Sequence, residues 1–443
     1  MFLPSILSLR WALFFFLFVS FWPWEKEVGE VKKTSFEIPH DSNLLKVVRV
    51  ALFYEKRQVS VSTSASYEMS GLPANQLLNK GSSLASTTIR PESSGIRVGS
   101  SLYSVTGLRI TSQTKELQVE KKKYRNAIRV LKNPTGSLTV VNETDVEDYL
   151  KGVVPAEMNP TWPEEALKAQ AVVSRTYAIF KNIENKDFPF TLSSDVGSQV
   201  YVGESLEHPG SSRAVERTRG EILTHRRKIF PTFFHSTCGG RTTRADYQWK
   251  IEPHPSLKGV ECPFCRGSKF YGWKAEMAAS EIQKLLAKKG YSIQGLESIT
   301  PQEEDASGRP RFFVIRHGSG SLKLTANEFR LILGSDRIRS TRMKIENSGD
   351  KFLVRGRGWG HGVGLCQYGA KHLAELGYRY RDILRYYYPE SEIQNLEDFV
   401  GPEDPRSRVS IGEKQGRAKE TKAKEGNIFK RWYGNITSYI EDL

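Results

Sequence analysis

Residues 152–178, GVVPAEMNPTWPEEALKAQAVVSRTYA, decide much of the fold because they place an acid inside an apolar run just before a strong helix signal. Glu157 lies within VVPAEM at 153–158, where a carboxylate is unusual. The ordinary explanation is a water-facing loop glutamate or one at the approach to a helix. The alternative is a carboxyl whose pKa is raised by desolvation, so that it can donate a proton.

The second half of this stretch predicts a helix over residues 161–180. Pro163 suits a first helical turn, and Glu164 and Glu165 complement the partial positive charge at a helix N-terminus. Small and apolar side chains then recur at helical spacing, which predicts one face packed closely against a neighbouring element. A further helix is predicted over residues 273–289.

Length and charge limit the class of protein. A chain of 443 residues can hold two or three packed units, and its net charge of +15 suggests a polyanionic neighbourhood such as nucleic acid, anionic lipid or a cell-wall polymer. The basic residues are spread along the chain and no nucleic-acid-binding module is recognisable. We therefore expect no nucleic-acid partner.

The N-terminus has the composition of an export signal. Residues 1–24 carry a single charge, Arg10, and residues 11–24 are apolar except for Ser20 and Pro23. The apolar segment is short for a spanning helix and suits a signal peptide, but no small-x-small cleavage site follows it. The segment is therefore predicted to be a signal peptide or a retained N-terminal membrane anchor. In either case the rest of the chain is expected in the periplasm or cell envelope.

The predicted fold class is α+β. Residues 25–43 are predicted to be a linker, and residues 44–141, with alternating apolar runs, a β-rich part. Residues 142–390 are predicted to form a mixed α/β core. Residues 391–443 are predicted to be a charged, disordered tail, with a short docking helix at 427–443.

Four cysteines are present, and three of them lie close in sequence to a histidine. His235 and Cys238 precede the CxxC pair Cys262–Cys265 by about two dozen residues. One histidine and three cysteines form a reasonable tetrahedral zinc site. A disulfide is the competing interpretation outside the cytoplasm, and free thiols are the third.

The segment GRGWGHGVG at residues 356–364 has glycine at alternate positions. Such glycines allow the backbone to run close to a ligand or a neighbouring strand. The loop is not a phosphate cradle, because no Lys-Ser/Thr pair ends it. His361 and Gln367 are the polar side chains that it would present, unless the loop is a purely structural turn.

These motifs together resemble the SpoIID/LytB family of cell-wall proteins. The resemblance rests on ordered segments from about residue 45 to 390: VVPAEM and TWPEEALKAQAVVSRTYA within 153–178, SSDVGSQVYVG at 193–203, FFHSTCGGRT at 233–242, SGRPRFFVI at 307–315, FRLILGSDRIRST at 329–341 and GRGWGHGVGLCQYGA at 356–370.

The resemblance implies a peptidoglycan lytic transglycosylase that cleaves the bond between N-acetylmuramic acid and N-acetylglucosamine. It implies that Glu157 is the single general acid/base, that 1,6-anhydro products form, and that the chemistry needs no cofactor. His235, His361 and Gln367 match family motif positions and are expected to line the substrate groove. Cys366 departs from the family, where a methionine-serine pair is common at 365–366, so the resemblance assigns it no role.

Two other functions remain open. Some members of the family are described as modifiers of a partner amidase, which would make the chain a regulatory protein with a cell-wall amidase as its partner. A non-catalytic glycan-binding protein would use the same loop to hold sugar while Glu157 only formed hydrogen bonds. The intact glutamate motif favours the enzyme.

Overall fold

The computed structural model describes residues 31–195 and 197–399, and the described residues from Lys32 to Phe399 belong to one unit. The predicted export segment at 1–24, the docking helix at 427–443 and most of the predicted tail lie outside the described residues. Within the described residues, no helix is both long and apolar enough to cross a membrane.

An eleven-stranded sheet takes most of its strands from the segment predicted to be β-rich. Neighbouring strands are antiparallel, except that a short strand after residue 190 joins in parallel. Inward-facing valines such as Val59 and Val61 alternate with outward-facing residues, which is the period-two pattern of a half-buried strand. The elements up to this point are β1 (Phe36–Glu37), α1 (Ser42–Lys46), β2 (Val47–Lys56), β3 (Val59–Thr63), β4 (Tyr67–Leu72), β5 (Gln76–Gly81), β6 (Leu84–Glu92), β7 (Gly95–Val98), β8 (Ser101–Tyr103), β9 (Gly107–Val119), β10 (Lys122–Lys132) and β11 (Leu138–Asp145).

Helices follow the sheet and cover it with the apolar faces that the sequence predicts. They and the short strands after them are α2 (Val146–Glu157), α3 (Glu164–Glu184), β12 (Leu192–Ser193), α4 (Pro209–Arg217), β13 (Glu221–His225), β14 (Lys228–Ile229) and β15 (Phe234–His235). Arg175 of α3 is fully buried and forms a two-pronged ion pair with Glu147 of α2, at 2.8 and 2.7 Å. This pair joins α2 to α3, so Arg175 has a structural role in the helix packing.

The predicted mixed core contains a distinct α/β module with its own hydrophobic cluster. Its elements are β16 (Gly272–Ala278), α5 (Ala279–Lys288), β17 (Leu296–Glu304), β18 (Pro310–His317), β19 (Gly320–Thr325), α6 (Ala326–Leu333), β20 (Met343–Ser348) and β21 (Lys351–Arg357). The helix predicted over residues 273–289 is wrong in its first half, because β16 pairs along its whole length with β21. Trp273 and Met277 are buried in a period-two pattern there, and the helix begins only at Ala279.

The last elements return to the helical part. They are β22 (Leu365–Cys366), α7 (Gln367–Glu375), α8 (Tyr380–Tyr387) and β23 (Glu392–Asn395). Helices α7 and α8 pack against α3, and their apolar side chains share a second hydrophobic cluster with all four cysteines.

The described parts of the predicted linker and tail pair with strands of the folded unit. Strand β1 pairs with β14, and β23 pairs with β13, so the two ends of the described chain form the outer strands of one four-stranded sheet. Ile38 and Phe399 anchor these segments in the main core. Residues 32–43 and 391–399 therefore belong to the folded unit, since backbone pairing orders segments that have little apolar sequence of their own.

Candidate active site

Glu157 is the last residue of α2. Asp145 caps the start of the helix, since its side chain accepts a hydrogen bond from the Glu147 N–H. The helix ends where Met158 adopts an extended backbone with φ −134° and ψ 137°. The chain then turns into α3 through Asn159, whose side chain accepts a 3.0 Å hydrogen bond from the Thr161 N–H. This arrangement places the Glu157 side chain at a helix end, facing the segment that follows β12.

The Glu157 carboxyl is only partly exposed and receives one backbone hydrogen bond. The Val200 N–H donates to its Oε1 at 2.7 Å. Burial raises the pKa of Glu157 from 4.5 to about 7, although the Val200 hydrogen bond acts in the opposite direction. No charged side chain of the described residues contributes to this pKa. The upward shift of this pKa agrees with the desolvated carboxyl that the apolar run predicts. A carboxyl with this pKa can both donate and accept a proton near neutral pH.

Tyr149 and Gln199 support this site and were missed in the sequence. Burial, and then the nearby Glu157, raise the pKa of the Tyr149 phenol well above its ordinary value. The phenol donates to Gln199 Oε1 at 3.2 Å, and Gln199 Nε2 is buried without a hydrogen-bond partner among the described residues. The motif at 193–203 was the available signal, but nothing local in it predicts contact with a glutamate some forty residues earlier.

Gln367 lies against the Glu157 backbone, in a contact that the sequence does not predict. Its side chain is 7% exposed, and its amide donates to the Glu157 backbone carbonyl at 3.0 Å and to Gln170 Oε1 at 3.2 Å. Gln170 in turn donates to Ser174 at 3.0 Å. Because both hydrogens of the Gln367 amide are used inside the protein, its geometry is that of a residue that positions the end of α2.

His235 and His361 form a neighbouring cluster. Their ring centroids are 5.5 Å apart, and His361 also contacts Trp249 at 4.9 Å. The His235 Nδ1 donates to the Val363 carbonyl at 3.0 Å, and the Val363 N–H donates to His361 Nδ1 at 3.1 Å. Burial lowers the pKa of both imidazoles, most strongly for His361, so both are neutral at pH 7. No hydrogen bond joins either ring to the Glu157 carboxyl within the described chain.

The four cysteines form one buried cluster, and this corrects the predicted metal-ligand set. The sulfur atoms of Cys238, Cys262, Cys265 and Cys366 all lie within 4.8 Å of one another. The His235 ring interacts with Cys238 but is not in this group. Strand β15 pairs in parallel with β22, which brings Cys366 close to Cys238. Cys366, to which the sequence assigned no role, is the fourth ligand-type side chain.

The surroundings of the sulfur atoms suit thiolate ligands. All four cysteines are free in the structure. The Cys238 N–H donates to Cys366 Sγ at 3.3 Å, the Gly240 N–H lies 3.4 Å from Cys238 Sγ, and the Tyr387 hydroxyl lies 3.1 Å from Cys262 Sγ. Four buried sulfurs with hydrogen-bond donors around them fit the closed tetrahedral set of a structural zinc ion.

The glycine-rich loop packs against backbone and a buried arginine. A Cβ atom on Gly364, where φ is +69°, would lie 2.0 Å from the Phe233 carbonyl oxygen. One on Gly362, where φ is +85°, would lie 2.5 Å from the guanidinium carbon of Arg309. Arg309 comes from the α/β module and donates to the Cys238 carbonyl at 2.6 Å. The glycines are therefore needed for close packing, and the same loop carries Gln367 to Glu157.

Comparison with known proteins gives two family models that match separate segments of the chain. A family model described as SpoIID, stage II sporulation protein, matches residues 134–225, which include Glu157 and Val200. A domain of unknown function (DUF8618) matches residues 264–364, which include the α/β module. The two models thus match separate parts of the chain, the first containing Glu157 and the second containing the α/β module.

Three relatives illustrate the similarity. An uncharacterized protein of Brachyspira hyodysenteriae is 36% identical over 255 residues, covering 57% of this chain and 67% of the relative. Stage II sporulation protein D of Bacillus subtilis is 30% identical over 275 residues, covering 59% and 77%. The amidase enhancer of Bacillus subtilis is 27% identical over 285 residues, covering 54% of this chain but 39% of the enhancer. The chain belongs to the SpoIID/LytB family.

Proposed function

We propose that the protein is a peptidoglycan lytic transglycosylase that acts outside the cytoplasm, with Glu157 as its single general acid/base. Family membership supports a cell-wall-related role. The observation that carries the proposal is the Glu157 carboxyl itself, partly buried at a helix end with a pKa of about 7. A carboxyl with this pKa holds a proton in a large fraction of molecules at neutral pH, which a general acid requires.

The chemistry takes place in two proton transfers. Protonated Glu157 gives its proton to the glycosidic oxygen as the bond from that oxygen to C1 of N-acetylmuramic acid breaks. The resulting carboxylate then accepts the proton of the C6 hydroxyl as its oxygen forms a bond to C1, which gives the 1,6-anhydro product and restores the acid. Burial favours the protonated form before the first transfer, and the Val200 N–H stabilises the carboxylate between the two.

Among the described residues, no charged side chain shifts the pKa of Glu157, and this supports the single-residue scheme. Hydrolases of the two-carboxylate type hold their acids about 5 to 9.5 Å apart, at which distance the charges interact. No second carboxylate among the described residues affects the pKa of Glu157. When the nucleophile is the C6 hydroxyl of the substrate itself, the reaction needs no second carboxylate as nucleophile or base.

The test is product analysis with defined glycan strands. Wild-type protein should release fragments with 1,6-anhydro ends, and Glu157→Gln should remain folded but release none. Fragments with reducing ends, or wild-type turnover by Glu157→Gln, would contradict the assignment.

A second candidate is a non-catalytic modifier of a cell-wall amidase, which the similarity to the amidase enhancer favours. In that case wild-type protein and Glu157→Gln would stimulate a purified amidase equally, and neither would cleave glycan strands alone. The two candidates therefore give opposite results for the same pair of proteins.

We further propose that Cys238, Cys262, Cys265 and Cys366 hold a structural zinc ion. Zinc would be held there by four thiolates and would join the β15 turn, the CxxC loop and the start of α7. Four protein ligands leave no open coordination position, so the ion would stabilise the fold and take no part in proton transfer. Metal analysis of protein purified without chelator should give about one zinc per chain; protein without metal that contains a disulfide would contradict this.

A further inference from the structure

Arg309 is a fully buried arginine without an ion-pair partner. Its side chain is 0% exposed, and within the part of the chain that the structure describes, no carboxylate oxygen lies within ion-pair distance of its guanidinium. The nearby carboxylate of Asp305 accepts hydrogen bonds from the Thr243 hydroxyl and the Ser307 N–H instead. A buried charge without a counter-charge destabilises a fold, so a source of negative charge is expected close to Arg309.

The guanidinium of Arg309 reaches the turn that carries the first cysteine. This cysteine turn comprises residues 238–243. Nη2 of Arg309 donates to the Cys238 carbonyl at 2.6 Å, and Nη1 donates to the Arg241 carbonyl at 2.9 Å. The same guanidinium is close enough to Cys238 and Cys366 for electrostatic interaction. Arg309 therefore faces the four-cysteine cluster from the side of the α/β module.

The four-cysteine cluster supplies the missing negative charge when it holds metal. Zn²⁺ and four thiolates sum to a net charge of −2, and all four sulfur atoms belong to buried residues. The N–H groups of Cys238 and Gly240 point at sulfur but carry only partial charges. A full positive charge beside the cluster compensates more of its charge, because water is excluded there and electrostatic interactions are correspondingly strong. The arginine and the loaded cluster would each compensate the burial of the other.

Two further hydrogen bonds join the α/β module to the cysteine turn. The Thr243 hydroxyl donates to Asp305, and Arg342 donates to the Gly239 carbonyl. The module thus contacts the turn at both ends, with Arg309 between. A change in the charge of the cysteine cluster would therefore act on the contact between the module and the rest of the chain.

We propose that Arg309 is the counter-charge of the metal centre, and that zinc binding and docking of the α/β module onto the cysteine turn stabilise each other through it. The proposal rests on the structural zinc ion proposed above and adds a linkage to it. By thermodynamic reciprocity, the factor by which zinc strengthens this docking equals the factor by which docking strengthens zinc binding. Zinc then controls how firmly the module is held.

Three substitutions in the full-length protein separate charge from packing. Arg309→Met removes the charge and keeps an unbranched stem, whereas Arg309→Lys keeps the charge and loses the planar fork of donors. Arg330→Met is the matched control. It removes another buried arginine of the same module, on α6, which has no hydrogen bond to the cysteine turn among the described residues.

Zinc affinity is measured by competition with a chromophoric chelator. Arg309→Met should weaken zinc binding on the order of 10- to 100-fold, which is typical for loss of a residue that supports metal ligands. Arg309→Lys should lose less, because the positive charge remains. Arg330→Met should bind zinc nearly as tightly as the wild type. A purely structural role of Arg309 would predict the same loss for the lysine and methionine variants.

Hydrogen exchange in the loop 305–309 measures the docking. In this loop the Asp305 N–H donates to the Arg309 carbonyl at 3.0 Å, and the Gly308 N–H donates to the Asp305 carbonyl at 2.9 Å. Adding zinc to metal-free wild type should slow exchange of these amides, and it should slow them far less in Arg309→Met. The paired strands β18 and β19 lie within the module and should show no such difference between the two proteins.

Several results would overturn the proposal. Equal zinc affinities of the wild type and Arg309→Met, or equal losses in the lysine and methionine variants, would remove the counter-charge. Zinc-dependent protection of the loop 305–309 that persists in Arg309→Met would remove the linkage. Zinc bound alike by all four proteins leaves the metal site standing and removes only the role of Arg309, whereas a wild type that binds no zinc overturns the metal site as well. If Arg309→Met does not fold, Arg309→Gln, which keeps a donor for the Cys238 carbonyl, takes its place.

Discussion

Replacing Glu157 with glutamine should stabilise the folded protein at high pH, because the site holds a carboxyl where an ionised group is unfavourable. The pKa of Glu157 is about 7 in the folded chain, against 4.5 for an ordinary glutamate. One pKa unit corresponds to about 1.4 kcal/mol, so ionised Glu157 destabilises the folded state by about 3 kcal/mol relative to the protonated form. Glutamine keeps the shape of the side chain and cannot ionise.

The raised pKa of Glu157 determines how the stability difference between wild type and Glu157→Gln changes with pH. Below pH 4.5 the carboxyl is protonated in both the folded and unfolded chain, and the difference in stability between wild type and Glu157→Gln is constant. Between pH 4.5 and 7 only the unfolded chain ionises, so the wild type loses stability relative to the variant by about 1.4 kcal/mol per pH unit. Above pH 7 the folded carboxyl also ionises and the difference levels off.

Urea unfolding of both proteins at steps from pH 4 to pH 9 measures this difference directly. Glu346→Gln, which removes an exposed carboxylate from β20, is the control for a change of one surface charge. A difference between wild type and Glu157→Gln that stays constant across the range, or that favours the wild type at high pH, would refute the assignment of a desolvated carboxyl. The activity of the wild type should decline as pH rises through about 7, where the folded carboxyl loses its proton, since the protonated form donates.

Three further outcomes follow from other contacts. Gln367→Leu should lower kcat on the order of 10- to 100-fold with little change in KM, because the Glu157 backbone loses a hydrogen bond while substrate contacts remain; a rise in KM alone would favour a substrate-binding role. Cys366→Ala should reduce the zinc content and the thermal stability, whereas His235→Ala should keep the metal, and metal analysis of the two variants decides between the two ligand sets. Arg175→Met should destabilise the protein by about 3–5 kcal/mol in urea unfolding, because Glu147 would be left buried and unpaired. The double variant with Glu147→Gln should recover part of this loss, and the absence of any recovery would show that the pair is not coupled.

Local signals in the sequence predicted several elements well. The alternating apolar runs of residues 44–141 predicted a β-rich part, which the structure confirms. Pro163 and the two glutamates after it predicted the start of α3, which runs from Glu164 to Glu184. Such signals depend on neighbours within a few residues, so they can be recognised without knowledge of the rest of the chain.

The candidate site was predictable in part. The apolar surroundings of Glu157 and the motif around it indicated an unusual carboxyl, and the structure gives that carboxyl a raised pKa. Tyr149 and Gln199 were not predicted, nor was the hydrogen bond from Gln367 to the Glu157 backbone. Each of these contacts joins residues dozens to hundreds of positions apart, and no local pattern specifies them.

The sequence by itself determined the β-rich first part, the main helix and the acid at position 157, because propensity, capping residues and apolar periodicity act over short distances. Only the tertiary structure decided which cysteines form one cluster and how deeply the acid is buried. Cys366 joins Cys238 because two short strands more than a hundred residues apart pair in parallel. The pKa of Glu157 likewise depends on the packing around it and on the Val200 N–H. Desolvation and metal-ligand geometry arise from atoms brought together in space, which the order of residues along the chain does not specify.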